Sequence, residues 1–202
     1  AVFAQDADSG LVDYGDTDVL HKNQDAVVLE YLDFYRQNDT KGELKYLVFD
    51  SKFTNYQNLA KLDNDGIMFL TIRRRGKKIV EEINNLPTSS WKTKRVACAG
   101  NKNRTLKVND RVINLKGYGK EIRQIAITGH GKIKPALIIT NDFKMKAEEI
   151  IRKYSRRWLV EKTISEQIDF FHLNRVSSSM VIKVDFDMTM TILAHNLYRL
   201  LA

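Results

Sequence analysis

Apolar and polar positions at the start of the chain predict a pair of strands followed by a helix. Short apolar segments at 1–4 and 10–14 flank a polar turn at 6–9, which is typical of two strands joined as a hairpin. Apolar residues recur at helical spacing over 25–36, and this spacing predicts an amphipathic helix that buries one face.

Two continuous apolar runs follow at 46–49 and 67–72, each bounded by turn-forming residues. Runs this short and this uniformly apolar predict strands that are buried on both faces of a sheet. Between them, Thr54 can cap a short helix that extends to Leu62. Strand, helix and strand joined by short links favour a mostly parallel sheet.

The pattern changes between residues 77 and 140. A short helix over 79–86 is expected to stop at Pro87. Short apolar runs separated by Gly, Asn and Lys then follow at 96–99, 112–115, 122–128 and 136–140. This spacing predicts a small antiparallel β subdomain inserted into an α/β core.

Helical periodicity returns near the end of the chain. It predicts one helix over 144–173 and another over 185–201, and the second is apolar on most faces, so we expect it to pack on the core. The fold class is therefore α/β with flanking helices. Its predicted parts are a first part of the core at 1–75, a β-rich insertion at 76–141 and a helical second part of the core at 142–202.

Composition supports a folded, intracellular protein. The chain has 202 residues, of which 43% are hydrophobic and 29% charged, with ten Gly and two Pro, so it can bury a real core. Its apolar runs fall far short of the ~20 residues that span a bilayer. Asp6 and Asp8 interrupt any signal-peptide core, and the first residue is Ala, which predicts a fragment or a trimmed product. The single cysteine, Cys98, excludes an internal disulfide, and its apolar surroundings predict a core residue.

Charge is distributed very unevenly along the sequence. Residues 1–72 carry 6 Lys/Arg and 13 Asp/Glu, a net of −7, whereas residues 73–157 carry 23 and 7, a net of +16. The densest cluster runs from Arg73-Arg74-Arg75 to Lys77-Lys78. A single cluster could be a solvated surface, but a bias that persists over 85 residues favours a polyanionic partner, and we predict duplex DNA. We expect Arg73, Arg74 and Arg75 to contact DNA, and their replacement by Ala to affect folding little.

Asp50 is the first candidate for chemistry. It directly follows the apolar run at 46–49, and open α/β sheets bind their ligands at the carboxyl ends of strands. The alternative interpretation is a turn aspartate that accepts hydrogen bonds from the backbone of Ser51 to Phe53.

Glu161 is the second candidate. Tyr154, Trp158 and Ile168 share one apolar stripe when the helix is plotted at about 100° per residue, and Glu161 falls near the centre of that stripe. A buried carboxylate costs several kcal/mol unless a metal ion or a cation compensates it. The alternative is a simple i,i+4 pair with Arg157 on an exposed face.

Two carboxylates that flank a basic segment predict metal-assisted phosphodiester chemistry. Mg²⁺ takes oxygen ligands, typically a few carboxylates and the substrate phosphates, and paired ions would activate the attacking oxygen and stabilise the leaving one. We therefore expect the carboxylates of Asp50 and Glu161 to lie about 4–7 Å apart. The sequence contains no His-x-x-x-His pair, Walker loop or Gly-x-Gly-x-x-Gly motif.

The segment Tyr154-Ser-Arg-Arg157-Trp-Leu-Val-Glu161 is similar to the Tyr-x-x-Arg-x-x-x-Glu segment of DDE transposases of the insertion-sequence-four group. The run from Val48 through Asp50 to Phe53 resembles the strand-end Asp of the same family, and Gly66 to Arg75 resembles the segment that follows it. The resemblance covers essentially the whole chain.

The resemblance implies an RNase H-like mixed sheet, a Mg²⁺ (or Mn²⁺) cofactor, and DNA hydrolysis followed by strand transfer at insertion-sequence ends. Asp50 and Glu161 would be catalytic metal ligands, and Tyr154 and Arg157 would contact DNA. The family often has a Lys seven residues after the Glu, but this chain has Ile168 there, so no role is carried over.

The first catalytic Asp of the family lies on the first core strand. The segments at 1–4 and 10–14 match the second and third strands better, so we expect the first Asp to lie upstream of residue 1. Asp6, in the hairpin turn, is the alternative first ligand.

Three functions stay open at this point. The leading one is a transposase catalytic domain that acts on transposon ends and target DNA, with a homodimer on DNA as the expected assembly, no membrane partner, and no transposition by this chain alone. The second is an RNase H-like nuclease without strand transfer. The third is a DNA-binding remnant without catalysis.

Overall fold

The computed structural model describes residues 1–19, 22, 24–37, 44–97, 103–132, 134–173, 175, 177 and 179–201. Cys98 and the end of the strand predicted over 96–99 lie outside the described residues. The chain divides into two compact units, a smaller one formed by Ala1–Val27 with Arg156–Ala202 and a larger one formed by Val28–Ser155. The predicted boundaries at 75 and 141 stay a prediction.

Strands and helices occur in the order that the sequence pattern predicts. The elements are β1 (Val2–Gln5), β2 (Val12–Asp16), α1 (Val27–Gln37), β3 (Tyr46–Val48), α2 (Tyr56–Asn64), β4 (Met68–Ile72), α3 (Lys77–Asn84), β5 (Lys92–Ala97), β6 (Asn103–Asn114), β7 (Glu121–Thr128), β8 (Ala136–Thr140), α4 (Ala147–Ser155), α5 (Trp158–Phe171) and α6 (Val181–Leu201).

The larger unit contains a mixed sheet with the strand order β3-β4-β8-β7-β6-β5. β3 and β4 are parallel, with Leu47 opposite Phe69, and α2 connects them, so the predicted strand–helix–strand unit is confirmed. The remaining neighbours in the sheet are antiparallel, and Leu70 of β4 lies opposite Thr140 of β8, so the prediction of a mostly parallel sheet is wrong.

An inserted β subdomain at 76–141 is not confirmed. The predicted strands are present, but β8 pairs with β4 and β7 pairs with β8, so β5 to β8 continue the sheet that β3 and β4 begin. The physical reason is the composition of β8, where Leu137, Ile138 and Ile139 are all fully or almost fully buried. A strand that is apolar on both faces needs cover on both faces, which a central position in one large sheet provides.

Helices cover both faces of this sheet. On one face α1 and α2 pack against Phe69, Ile122 and Ile139, while α3 covers Ala126 and Leu137 through Ile83. On the other face α4 packs against residues of the same strands that lie an odd number of positions away, namely Leu70, Ile125 and Ile138. The alternation follows from the two-residue period of a strand, which sends successive side chains to opposite faces.

Two local predictions in this unit are wrong. β3 is half-buried along its length instead of buried on both faces, because it lies at one edge of the sheet among the described strands. The cap of α2 is Asn55, whose side chain accepts hydrogen bonds from the amides of Gln57 and Asn58. Thr54 points inward instead, and its hydroxyl lies 2.6 Å from the hydroxyl of Thr71.

The smaller unit combines the predicted hairpin with the last two helices. β1 and β2 are antiparallel, and the register shifts between Ala4 and Gln5 so that Asp13 forms a β-bulge. Thr163 of α5 donates to the side chain of Gln5, and Asn196 of α6 makes two hydrogen bonds with the backbone of Val12.

The predicted helix over 144–173 is two helices, since α4 ends at Ser155 and α5 begins at Trp158. The prediction for α6 is confirmed in its extent but wrong in its burial. Met188, Thr191 and His195 are its buried residues, whereas Ile182 and Phe186 are among many apolar side chains that stay exposed. Among the described residues, no helix has both the length and the apolar character required to cross a bilayer.

Candidate active site

Asp50 lies at the carboxyl end of β3, as the sequence predicts. The amide of Phe49 donates to the carbonyl of Leu70, so the parallel pairing of β3 and β4 continues to the residue before Asp50. The hydroxyl of Thr71 lies 3.5 Å from the carbonyl oxygen of Asp50. Two neighbouring parallel strands therefore fix the backbone position of this aspartate.

The side chain of Asp50 also organises the turn that follows it. Its Oδ1 accepts a hydrogen bond from the amide of Lys52 at 3.0 Å and from the hydroxyl of Ser51 at 3.3 Å. The turn role that the alternative interpretation predicted is thus present. It does not exclude a role in chemistry, because a carboxylate has two oxygens that can each accept more than one partner.

Three consecutive arginines follow β4, and one of them contacts the Asp50 turn. Arg74 donates from Nε to the carbonyl of Ser51 at 3.0 Å and from Nη2 to the carbonyl of Lys52 at 2.9 Å. Arg73 donates to the side chain of Gln124 at 2.6 Å, and Arg75 donates to the carbonyl of Pro135. Their predicted contact with DNA stays a prediction.

These contacts argue against the expectation that replacing the three arginines affects folding little. Gln124 is fully buried, and its side-chain oxygen accepts the hydrogen bond from Arg73. Removal of that donor leaves a buried acceptor unpaired, which costs about 1–3 kcal/mol. Lys77 and Lys78 are exposed, so their substitution should affect DNA binding with less effect on folding than substitution of the three arginines.

Glu161 belongs to the smaller unit, and its predicted burial is wrong. Its side chain is 62% exposed and forms an i,i+4 salt bridge of 2.8 Å with Arg157. The buried residues of α5 are Thr163 and Gln167, which lie about 200° and 240° around the helix from Glu161. The burial argument for Glu161 therefore fails, and its assignment rests on the sequence motif. The predicted separation from Asp50 stays a prediction.

Asp6 organises the β1–β2 turn. Its Oδ1 accepts hydrogen bonds from the amide and hydroxyl of Ser9 and from the amide of Asp8. The hydrogen bonds from Ser9 lower the pKa of Asp6 below its ordinary value, although burial opposes them. Within the described turn Asp6 thus has a full structural explanation, and its role as a first metal ligand stays a prediction.

Tyr154 lies at the end of α4 and packs, half-buried, against the core cluster that includes Ile150 and Ile151. Next to it, the ammonium group of Lys153 lies 4.4 Å above the ring of Tyr46. Tyr154 therefore has a packing role, and its predicted DNA contact stays a prediction.

Sequence reasoning missed a basic group around His130. Burial lowers the pKa of this histidine, and the positive charges of Arg75, Lys132 and Arg104 lower it further. A histidine whose neighbours resist its protonation marks a local positive potential. The sequence does show that Arg104 lies near the start of β6 and that His130 and Lys132 follow the end of β7. It does not show that these two ends are paired, and that pairing is what brings the three residues together.

An ion pair between a buried arginine and an exposed aspartate was also missed. Arg123 makes a bidentate contact with Asp110, at 2.9 and 2.7 Å, and donates to the carbonyls of Asp142 and Met145. Asp110 raises the pKa of Arg123 through this contact. The signal was present, since an arginine in the β7 segment, where Ile122, Ile125 and Ile127 indicate a buried strand, requires a partner. Its role is structural, because every one of these contacts joins β7 to its neighbours.

A family model described as a transposase DDE domain matches residues 9–197 of the chain. The chain belongs to this family. A search of curated proteins gives no significant match.

Membership of the transposase DDE domain family fits the mixed sheet and its flanking helices, which are consistent with an RNase H-like fold. It also implies the chemistry of DNA cleavage and strand transfer, for which such domains generally use divalent metals. Carboxylate oxygens such as those of Asp50 and Glu161 have the donor chemistry that Mg²⁺ prefers. In the described part of this transposase domain, however, no group of three or more His, Cys, Asp or Glu side chains could hold an ion.

Proposed function

We propose that the chain is the catalytic domain of a DDE transposase of the insertion-sequence-four group. It would cleave DNA at insertion-sequence ends and join the resulting 3′-OH to target DNA. The observation that carries the proposal is the family match over residues 9–197, and the position of Asp50 at the carboxyl end of β3 supports it.

In this proposal Asp50 and Glu161 are the catalytic residues. Each would supply carboxylate oxygens to Mg²⁺ or Mn²⁺, and the ion, when bound, would activate the attacking oxygen and stabilise the leaving one. The two parallel strands hold the backbone of Asp50, and the salt bridge with Arg157 orients Glu161. Duplex DNA is the substrate, and a homodimer on DNA is the proposed assembly.

The experiment compares two neutral variants with matched controls. Purified chain, alone and in a form with the native upstream sequence, is incubated with Mg²⁺ or Mn²⁺ and two transposon-end duplexes, an intact one that reports nicking and a nicked one that reports joining. Glu161→Gln should abolish both products, whereas Glu166→Gln should retain them, because Glu166 lies on the same helix in an equivalent i,i+4 pair with Lys162. Asp50→Asn should also abolish both, and Asp65→Asn, which removes the surface partner of Arg36, should not.

The outcomes separate the three functions. Metal-dependent nicking without joining would indicate an RNase H-like nuclease instead of a transposase. DNA binding without either product would indicate a DNA-binding remnant. The assay also includes Asp6→Ala. Joining that the chain performs alone and that Asp6→Ala abolishes would make Asp6 the first ligand. Joining that requires the upstream sequence would support a first Asp located there.

A further inference from the structure

A cavity of about 350 Å³ opens in the larger unit, beside the turn that follows Asp50. Its wall is built by three separate segments: the start of α2, the second residue after β4 and the turn between β6 and β7. The lining residues are Thr54, Asn55, Tyr56, Gln57, Arg74, Lys116 and Gly117.

The charge of the cavity is positive. None of its seven lining residues is acidic, and Arg74 and Lys116 supply two cations from different elements. Lys116 is exposed, and within the described part of the chain it forms no salt bridge. Arg74 uses two of its five N–H donors on the carbonyls of Ser51 and Lys52, so the others remain for a ligand.

The attraction of the cavity for an anion rests on these side chains and not on the start of α2. The amides of Gln57 and Asn58 already donate to the side chain of Asn55. Gly117 contributes by keeping the wall open, since its φ of +96° favours glycine and a side chain there would be strained. Polar walls, two cations and open access suit a phosphate group better than an apolar ligand.

We propose that this cavity binds a backbone phosphate of duplex DNA between Arg74 and Lys116. The inference rests on the proposed function, because that function makes duplex DNA the substrate. Arg74 links the cavity to the Asp50 turn. The guanidinium that would bind the phosphate also donates hydrogen bonds to the carbonyls of Ser51 and Lys52, the two residues after Asp50. A bound phosphate would therefore fix the DNA backbone beside the Asp50 turn.

The test measures binding of a short labelled duplex in EDTA, so that no metal-dependent step contributes. Lys116→Gln is compared with Lys61→Gln, which removes the same charge from an exposed position on α2 that does not line the cavity. Lys116→Gln should lower the affinity roughly three- to tenfold and reduce the slope of log affinity against log salt by about 1, since one phosphate contact is lost. Lys61→Gln should change both quantities much less.

Equal effects of the two substitutions, or no effect of Lys116→Gln, would overturn the cavity as a phosphate site, since the charge would then act without a specific contact. Melting temperatures of both variants check that each is folded. A parallel strand-transfer assay with Mg²⁺ keeps the two proposals apart. Joining that proceeds normally in Lys116→Gln, with unchanged affinity, would overturn the cavity and leave the transposase proposal standing. Loss of affinity in Lys116→Gln, with no joining by the wild-type chain even when its native upstream sequence is present, would support the cavity and count against the transposase proposal.

Discussion

Asp13 illustrates how a single position in the smaller unit acquires an unusual acidity. It occupies the bulge of the β1–β2 hairpin, and burial together with the nearby charge of Asp6 raises its pKa to about 6. Nothing in the sequence around Asp13 distinguishes it from the other aspartates of this segment. The pKa change follows from these two tertiary effects, since both disfavour the charged form of the carboxyl.

Asp13 should make the free energy of unfolding depend on pH. Because its pKa is higher in the folded state than in the unfolded state, the folded chain binds more protons between about pH 4 and pH 6, and stability falls as pH rises through this window. Asp13 stays more than one third exposed, so screening by water limits the effect to about 1 kcal/mol. Asp13→Asn should remove this fall and stabilise the chain at pH 7.

The measurement for Asp13 is urea unfolding of both proteins from pH 4 to pH 7. Other carboxylates, such as Asp6 with its lowered pKa, contribute with the opposite sign, but they cancel in the difference between wild type and Asp13→Asn. A difference that stays constant over the whole pH range would contradict the prediction.

At the scale of elements, β2 and α6 approach each other closely at Gly15. A Cβ atom at this position would lie 2.6 Å from Cδ1 of Ile192 and 3.1 Å from Cε of Met188. Gly15→Ala should therefore lower the free energy of unfolding by about 1–3 kcal/mol, because the added methyl group overpacks the contact. Chemical denaturation measures the change.

Two further variants make the Gly15 test specific. Gly76→Ala is the comparison, since nothing lies within 4 Å of the Cβ that it adds, and its cost should come only from the weaker N-cap preference of Ala, about 1 kcal/mol or less. Ile192→Val removes the methyl group nearest to Gly15, so it should recover part of the loss when combined with Gly15→Ala. Additive effects of the two substitutions would argue against a direct contact.

The same scale shows which features sequence patterns can predict. The strand-end position of Asp50 was predictable, because an apolar run identifies a strand whatever covers it. The exposure of Glu161 was not, because α5 buries the polar side chains of Thr163 and Gln167, and Thr163 is satisfied by a hydrogen bond to Gln5. Periodicity detects hydrophobic faces, so a helix that buries a polar face is assigned the wrong orientation.

The predicted ends and positions of several elements were wrong for a related reason. The break between α4 and α5 contains Arg156 and Arg157, and neither Gly nor Pro marks it. The edge position of β3 depends on which strand pairs beside it, and the capping of α2 by Asn55 instead of Thr54 depends on the bond between Thr54 and Thr71. Each of these features is set by tertiary contacts, which override local preference.

At the scale of the molecule, the uneven charge of the sequence leads to a prediction for His130. Duplex DNA would neutralise the positive potential of Arg75, Arg104 and Lys132, which contributes to the lowered pKa of His130 in the free chain. The pKa of His130 should therefore rise when DNA binds. Binding then takes up a proton, and the affinity should increase as pH falls through the interval between the two pKa values.

Proton NMR titration of His130, with and without a short duplex, measures this change directly. His195, which is buried, serves as the control resonance. A saturating duplex that leaves the His130 pKa unchanged would show that DNA does not approach this part of the basic surface.

The pairing of β4 with β8 has a consequence for how the protein is made. Residue 70 pairs with residue 140, so one edge of β4 has to wait for 70 further residues to leave the ribosome. At about 5–20 residues per second this interval lasts about 4–14 s. During this interval the apolar segment from Met68 to Ile72 can pair with β3 on one edge only, and its other edge stays unpaired. A nascent chain that is paused within β5 to β7 should therefore be the one that chaperones at the ribosome bind longest.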